Sequence, residues 1–474
     1  MNNCFVIQVC IKNSKSTNID YEYKLQETIN LAKALDLIVV GSDMYSISDI
    51  NPATLINKGV LDNLAILLES QEIDALIINH PLTAIQQRNL ENYLHVKVLD
   101  RSALIINIFG QRARSSEGKL QSELASLYYQ KSRLVKAWSH LERQRGGGGV
   151  VGGPGETQKE LDRRMLSEQI DRLKQKLEKV KLTRSIQSHS RRKFDIKTIA
   201  LVGYTNSGKS TLFNNLTNSE VFSKDLLFAT LDPTARILML PHKQKVILSD
   251  TVGFISDLPH QLVEAFHSTL DGIVEADLIL HVIDANQTNY EDQISSVKSV
   301  LEELGIEEEI YREKVIEVYN KVDLLNMEEK EFFEEKVRIS NKTKLVKNKN
   351  YSPDQKYNKI QEPYHPINSN LDDTIEEKEE PEYYNQQAEC ILISAIDGTN
   401  LDLLKSKISN FINHNMIQIT VDVSYLDNDL LVYIYKNTIV LEKMEHEDHT
   451  TLTVLTREKE YNYIMQNKAP ITFN

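Results

Sequence analysis

Apolar residues along the chain follow two alternating rhythms. Short continuous runs, FVIQVCI (5–11), LIVVG (37–41), ALIIN (75–79) and VKVLD (96–100), are separated by helical stretches such as YKLQETINLAKAL and VLDNLAILLES. That alternation predicts parallel strands with crossover helices. From Glu117 to about Arg143 the rhythm lengthens. Leu120, Leu124, Leu127, Leu134, Trp138 and Leu141 recur at three-and-four spacing, and Leu166, Ile170, Leu173, Leu177 and Val180 repeat it between Glu156 and about Ser185. Two such helices, each of about 25 residues and roughly 35 to 40 Å long, pair as an antiparallel hairpin.

A third block, TIALVG, KVILSD, LILHVID, VIEVYN and CILISA, is again short apolar strands between helical segments, and predicts a second doubly wound α/β domain. The stretch from Asn341 to about Glu389 interrupts it with Lys, Asn, Pro, Tyr and Glu and little periodicity, so it is expected to be a disordered insertion. Beyond Gln418, ITVDVSY, LLVYIY and TLTVLT alternate like strands around a short helical piece. The fold class expected is therefore multidomain α/β. An N-terminal parallel α/β domain (1–115) precedes a helical hairpin (116–192) whose Gly-rich tip loop spans 146–155. A phosphate-loop domain (193–415, insertion 341–389) and a small α+β C-terminal domain (416–474) follow.

Composition changes this picture in one respect. The chain of 474 residues has a formal charge of −13, from 68 Asp and Glu against 55 Lys and Arg. Between Gln111 and Lys193, however, 20 Lys and Arg face 9 Asp and Glu, while Leu371–Glu382 carries seven acids and one lysine. A basic arm and an acidic loop are hidden in the average. Seven of the 17 glycines crowd into Gly146–Gly155, flanked by Arg143, Arg145, Lys159, Arg163 and Arg164. A flexible backbone between positive collars suits phosphates or a narrow RNA groove; an arm whose charges are only solvated is the alternative. Cys4, Cys10 and Cys390 show no metal spacing, MNNCFVIQVCIK lacks a cationic start and a small-residue cleavage site so that no leader is expected, and no apolar run reaches membrane-spanning length. A monomeric cytoplasmic protein without a membrane span is expected.

The chemistry concentrates in the third block. GYTNSGKS, Gly203–Ser210, follows an apolar strand and opens a helix, the setting a phosphate loop requires. There the backbone amides of Gly203, Tyr204, Thr205, Asn206, Ser207, Gly208 and Thr211 can wrap phosphates, Lys209 reaches the outer ones, and the Ser210 hydroxyl ligates Mg2+. DTVG places Asp250 at a strand end to hold the magnesium shell, with Thr251 and Val252 leading to the Gly253 amide that can bond a terminal phosphate. NKVD supplies Asn320, Lys321 and Asp323; a carboxylate accepts from guanine's ring NH and exocyclic amine, which adenine lacks, so Asp323 selects GTP over ATP. Ser394 and Ala395 open SAIDG, whose amides face the guanine oxygen. LFATLDPTAR (227–236) should close on the nucleotide through Phe228, Ala229 and Thr230, with Thr234 as the alternative switch threonine. Lys209, Thr230 and Gly253 are thus the catalytic candidates. Phe254 stands where a water-orienting Gln often follows DTVG, so hydrolysis should be slow alone and helped from elsewhere; a supplied arginine is worth roughly 10³ to 10⁵ in rate. Asn206 is a candidate ligand for K+ bridging the phosphates.

DRSALIINIFGQRARSSEGKLQSELASL, GGPGETQKELDRR, GYTNSGKSTLFN, LFATLDPTAR, DTVGFISDLPHQLVEAF and ADLILHVIDA together resemble the HflX family of bacterial GTPases, from about Leu99 to Asp323. The resemblance implies a GTP- and GDP-binding protein that associates with the large ribosomal subunit and its rRNA and helps dissociate or rescue ribosomes under stress. It also implies that the hairpin and its glycine loop approach ribosomal RNA. Gly153, at a position the family makes basic, and Asn57, where it favours Gly, depart from the pattern. A second class stays open: an RNA-binding assembly scaffold that binds GTP and scarcely hydrolyses it.

Overall fold

The structure, a computed structural model, describes residues 3–12, 18–137, 154–193, 196–218, 227–228, 234–256, 259–348 and 390–467. Its first apolar runs form β1 (Asn3–Ile11), β2 (Ile38–Ile47), β3 (Ala75–Ile78) and β4 (Lys97–Asp100), parallel and in the order β2-β1-β3-β4. The crossovers are α1 (Asn18–Ala34), α2 (Lys58–Ser70) and α3 (Ala84–Leu94). All four residues of β3 are buried, because a central parallel strand is covered on both faces. Thr83 opens α3 with a reciprocal cap: its hydroxyl accepts from the Gln86 amide at 3.2 Å while the Gln86 side chain accepts from the Thr83 amide at 2.9 Å. Asp100 ends β4 and caps α4 (Arg101–Arg112), accepting from the Ala103 amide at 2.8 Å.

The hairpin is α5 (Ser116–Ala137) and α6 (Pro154–Lys193). Asp100 also fastens it, accepting from the Tyr129 hydroxyl at 2.8 Å and pairing with Arg133 at 2.6 Å. Leu124 and Leu127 of α5 and Ile170, Leu173 and Leu177 of α6 are buried in one cluster that continues through Ile105, Ile108 and Phe109 of α4. The second arm corrects its expected bounds. It starts at Pro154, where a missing N–H costs nothing in the first turn, and runs 40 residues, about 60 Å. Pro154 and Gly155 therefore belong to the helix and not to the expected tip loop, whose remaining residues lie outside the described ones.

The second α/β unit has a six-stranded sheet, order β10-β9-β8-β5-β7-β6, built from β5 (Thr198–Val202), β6 (Thr234–Met239), β7 (Lys245–Asp250), β8 (Leu278–Asp284), β9 (Val315–Asn320) and β10 (Cys390–Leu392). Five strands match the apolar runs read from the sequence. β6 is an addition, antiparallel to β7 at the sheet edge, with Thr234 opposite Asp250. Its helices are α7 (Lys209–Thr217), α8 (His260–Val274), α9 (Tyr290–Glu303), α10 (Glu308–Lys314), α11 (Met327–Asn348) and α12 (Leu401–Asn413). Phe266 and Leu270 of α8 join the cluster that holds the hairpin and α4, and Lys174 and Lys181 of α6 pair with Glu264 and Asp271 of α8. First domain, hairpin and second domain thus share one cluster, in addition to a cluster that lies wholly within each α/β domain.

α11 also corrects the expected insertion, since residues 341–348 continue the helix. Asn341 clasps the Cys390 backbone, donating to its carbonyl at 3.2 Å and accepting from its amide at 2.8 Å. Helix and returning strand are joined at the point where the expected insertion was to begin.

The end domain is β11 (Ile417–Ser424), α13 (Asn428–Asn437), β12 (Ile439–Glu445), β13 (His449–Thr456) and α14 (Glu458–Asn467), with an antiparallel sheet ordered β11-β13-β12. LLVYIY is a correction: it lies in α13, which Asp427 caps by accepting from the Leu430 amide at 3.2 Å. Among the described residues no helix is long and apolar enough to cross a membrane.

Candidate functional site

The site forms where β5 turns into α7, at the C-terminal ends of the parallel strands. Two glycines make the turn possible. Gly203, at φ +150°, lies so close to β8 that a β-carbon would stand 2.2 Å from the Val282 carbonyl. Gly208, at φ +95°, leaves the same gap to Asn320 Nδ2. Asn206, exposed at the loop's outer bend, takes a left-handed φ of +62° that asparagine tolerates. Lys209 is buried and donates to the Gly203 and Tyr204 carbonyls at 3.0 and 2.6 Å, so its ammonium is placed before any anion arrives. Burial lowers its pKa to about 8, against the pull of Asp250, which raises it. Thr205 Oγ1 and Ser207 Oγ are buried without a hydrogen-bond partner among the described residues. A loop with a buried cation and two unanswered hydroxyls fits a polyanion.

Beside it the Ser210 hydroxyl donates to Asp250 Oδ2 at 2.8 Å, and Asp250 is fully buried at the end of β7. A hydroxyl and a carboxylate are hard oxygen donors of the kind Mg2+ takes. Thr251 is held by its hydroxyl on the Leu201 carbonyl at 2.6 Å, and Val252 is buried. Gly253 lies directly over the loop: a β-carbon there would stand 2.9 Å from Thr205 Cγ2 and 3.2 Å from Lys209 Nζ. The chain then zips onto the loop, Thr205 N donating to the Phe254 carbonyl at 2.7 Å and Phe254 N to the Gly203 carbonyl at 3.0 Å. The Phe254 side chain is buried in the shared core.

At the far end Asn320 joins the pieces. Its Nδ2 donates to the Ser207 carbonyl at 2.9 Å and its Oδ1 accepts from the Ala395 amide at 2.9 Å. Ser394 Oγ donates to Asp323 Oδ1 at 2.6 Å, fixing the carboxylate that the sequence assigns to the base. Asp284, at the end of β8, pairs with Lys321 at 2.7 Å. Asp284 was missed from sequence, although an acid closing LILHVID at the edge that carries the phosphate loop was the available signal.

Not every candidate gathers here. The Phe228 ring packs edge-on against Phe109 of α4 with centroids 4.8 Å apart, in the cluster shared with the first domain. Ala229 and Thr230 lie outside the described residues, as do Arg143, Arg145 and Gly146. Thr211 follows Ser210 in the first turn of α7. Gly155 and Lys159 lie in α6, and Arg163 and Arg164 are exposed on it, Arg164 paired with Glu168 at 3.2 Å.

Three family models match in succession: "GTP-binding GTPase N-terminal" over 22–110, "GTP-binding GTPase Middle Region" over 112–191 and "50S ribosome-binding GTPase" over 198–321. GTPase HflX of Alkalihalophilus pseudofirmus is 45% identical over 285 residues, 60% of this chain and 67% of that protein. The chain belongs to the HflX family of GTPases. GTPase HflX of Magnetococcus marinus is 51% identical over 283 residues, 60% of this chain and 66% of that protein, so the match spans slightly less than two thirds of its length. A crystal structure of a GTP-binding protein from Sulfolobus solfataricus in complex with GDP is 23% identical, with a TM-score of 0.42, covering 87% of this chain and 99% of that one. The HflX family relationship is the setting in which the loop, the DTVG segment and the Asn320 bridge are read.

Proposed function

We propose that the chain binds GTP and GDP, hydrolyses GTP slowly by itself, and acts as a nucleotide-controlled partner of the large ribosomal subunit and its rRNA, helping to dissociate or rescue ribosomes under stress. The observation that carries this reading is the Asn320 bridge, which ties the phosphate loop at Ser207 to the base-reading turn at Ala395. In this reading the amides of Gly203–Thr211 wrap the phosphates, Lys209 neutralises the outer ones, and Asp323, oriented by Ser394, accepts from guanine. Ser210 and Thr230 would hold Mg2+, with Asp250 accepting from the Ser210 hydroxyl, and the ion would supply charge neutralisation at the leaving phosphate. The Gly253 amide donates to the terminal phosphate. Hydrolysis releases that contact and the Thr230 segment with it.

Association with the ribosome is supported by the description of the family model over 198–321 and by the basic character of Gln111–Lys193. Arg143, Arg145, Gly146, Gly155, Lys159, Arg163 and Arg164 are the proposed RNA contacts, the last four of them along the first turns of α6. The protein works in the cytoplasm as a monomer, and K+ assists through Asn206; equal rates in K+ and Na+ would remove that last role.

One observation favours the second reading, a scaffold that binds GTP with little turnover: Phe254 is buried in the core, so no side chain at that position reaches an attacking water. GTP turnover with and without large subunits, against a Lys209→Ala control, separates the two. Stimulation lost in the control supports the switch, and tight GTP binding with turnover indifferent to subunits supports the scaffold.

A further inference from the structure

Four residues far apart in sequence close a buried ring between the first domain and the nucleotide site. Arg101, first residue of α4 and 6% exposed, pairs at 2.6 Å with Glu27 of α1, 5% exposed. The same guanidinium nitrogen donates to the Ser256 carbonyl at 2.9 Å and lies 3.2 Å from its hydroxyl oxygen. The Ser256 amide donates to the Tyr204 hydroxyl at 2.8 Å, and that hydroxyl donates in turn to the other oxygen of Glu27. Ser256 Oγ adds a bond to Glu27 at 3.3 Å. Burial beside Glu27 pushes the Tyr204 hydroxyl far above its ordinary pKa, so it stays protonated and stays a donor.

Tyr204 is the second residue of the phosphate loop, and Ser256 lies three residues beyond Gly253. The ring therefore pins the segment after Gly253 from the side of the first domain, while the Thr205–Phe254 and Phe254–Gly203 backbone bonds pin it from the loop. Between those anchors Gly253 occupies the space next to Lys209 Nζ. A third phosphate needs room between Lys209 and Gly253, and the segment must move away from the loop to give it.

We propose that Glu27 and Arg101 are specificity-determining residues of the nucleotide site, acting through Tyr204 and Ser256 to hold residues 253–256 in the position that suits a guanosine diphosphate, and so setting the ratio of triphosphate to diphosphate affinity. The proposal rests on the guanine-nucleotide reading above. By linkage, whatever displaces the segment also loosens the contact between α1, α4 and the phosphate-loop domain.

The test uses the full chain and two substitutions. Arg101→Lys keeps a charge beside Glu27 but loses the planar fork, in which one guanidinium nitrogen is held by Asn79 Oδ1 at 3.2 Å while the other meets Glu27 and the Ser256 carbonyl. The double variant Glu27→Leu with Arg101→Met removes both charges and leaves neither buried alone. Affinities for GDP and for a non-hydrolysable GTP analogue are measured by displacement of a fluorescent guanine nucleotide. The triphosphate-to-diphosphate affinity ratio is expected to rise by about fivefold or more in both variants. A ratio within about twofold of the unsubstituted chain in folded variants overturns the proposal and leaves the guanine reading intact. Failure of the unsubstituted chain to bind either nucleotide overturns the reading, and the proposal with it. Should both variants fail to fold, hydrogen exchange at the 254–256 amides of the unsubstituted chain decides. Faster exchange with the triphosphate analogue than with GDP is expected, and equal exchange overturns the proposal.

Discussion

Asn320 Nδ2 donates to the Ser207 carbonyl while its Oδ1 accepts from the Ala395 amide, both at 2.9 Å, so one side chain sets the separation of the phosphate loop from the base-reading turn. Replacing it by Asp keeps the acceptor but turns a carboxylate oxygen toward the Ser207 carbonyl. Losing a buried hydrogen bond and leaving its partner unanswered costs about 1 to 3 kcal/mol, so Asn320→Asp should weaken GDP binding by roughly 5- to 150-fold. Titration with fluorescent GDP reads this directly. An unchanged affinity would mean that the two halves of the site are held apart by the sheet alone.

Asp323 carries a different expectation, because its role is recognition. The carboxylate that Ser394 orients has two acceptor oxygens for guanine's two donors. Asp323→Asn replaces one acceptor by a donor, which suits xanthine, whose second position is a carbonyl. Affinity for GDP should drop by about tenfold or more while affinity for xanthosine diphosphate rises. Weakening of both nucleotides by the same factor would assign Asp323 a structural role only.

The strands β5, β8 and β9 were legible because parallel strands covered on both faces read as nearly unbroken apolar runs, and β7 and β10 because their short apolar runs lead straight into DTVG and SAIDG. β6 was not, since at the sheet edge its Ala235, Arg236 and Ile237 are exposed and the run TARILM carries no such signal. LLVYIY offered the opposite trap. Six apolar residues in a row fit strand and helix equally, and the deciding signal was the cap at Asp427 just before them. Among site residues, those of GYTNSGKS and NKVD announced themselves because their spacing is set by one loop each. Glu27 and Arg101 had no motif to show: 74 positions separate them, and 155 separate Arg101 from Ser256, so only the packing of α1 and α4 on the phosphate-loop domain brings them together.

Lys209 makes nucleotide binding depend on pH. Its pKa in the free protein, lowered by burial to about 8, must rise when phosphate oxygens surround it, because they favour the charged form. The complex then binds more protons than the free chain above that value. Affinity is therefore flat below about pH 8 and falls as pH climbs above it, by close to tenfold between about pH 7 and 9. A Lys209→Ala chain should bind more weakly and show a shallower profile over the same range. Parallel profiles for the two proteins would place the titrating group elsewhere.

His281 bears on stability. It is buried on β8, hydrogen-bonds the Tyr311 hydroxyl at 2.7 Å, and burial lowers its pKa from 6.5 to about 4. Between those values the unfolded chain takes up a proton that the folded one refuses, so stability rises with pH across the window and is lost as pH falls through it. The full loss is about 3 kcal/mol, of which about 2 should appear between pH 7 and pH 5 in urea unfolding. His281→Gln keeps a hydrogen-bonding side chain and removes the titration, so it should lose clearly less over the same interval. Equal losses would clear His281 of the acid sensitivity.

The Asn341 clasp on Cys390 frees the sheet from the length of chain spliced between them. Because α11 and β10 are held to each other directly, the start of β10, four residues before the turn at Ser394, is fixed by Asn341 as well as by its pairing with β9. Closing a longer excursion between fixed ends costs only about 0.6 kcal/mol per doubling. The clasp thus works as a splice in the architecture: the strand that leads into the guanine turn takes its place from a side chain of the folded domain.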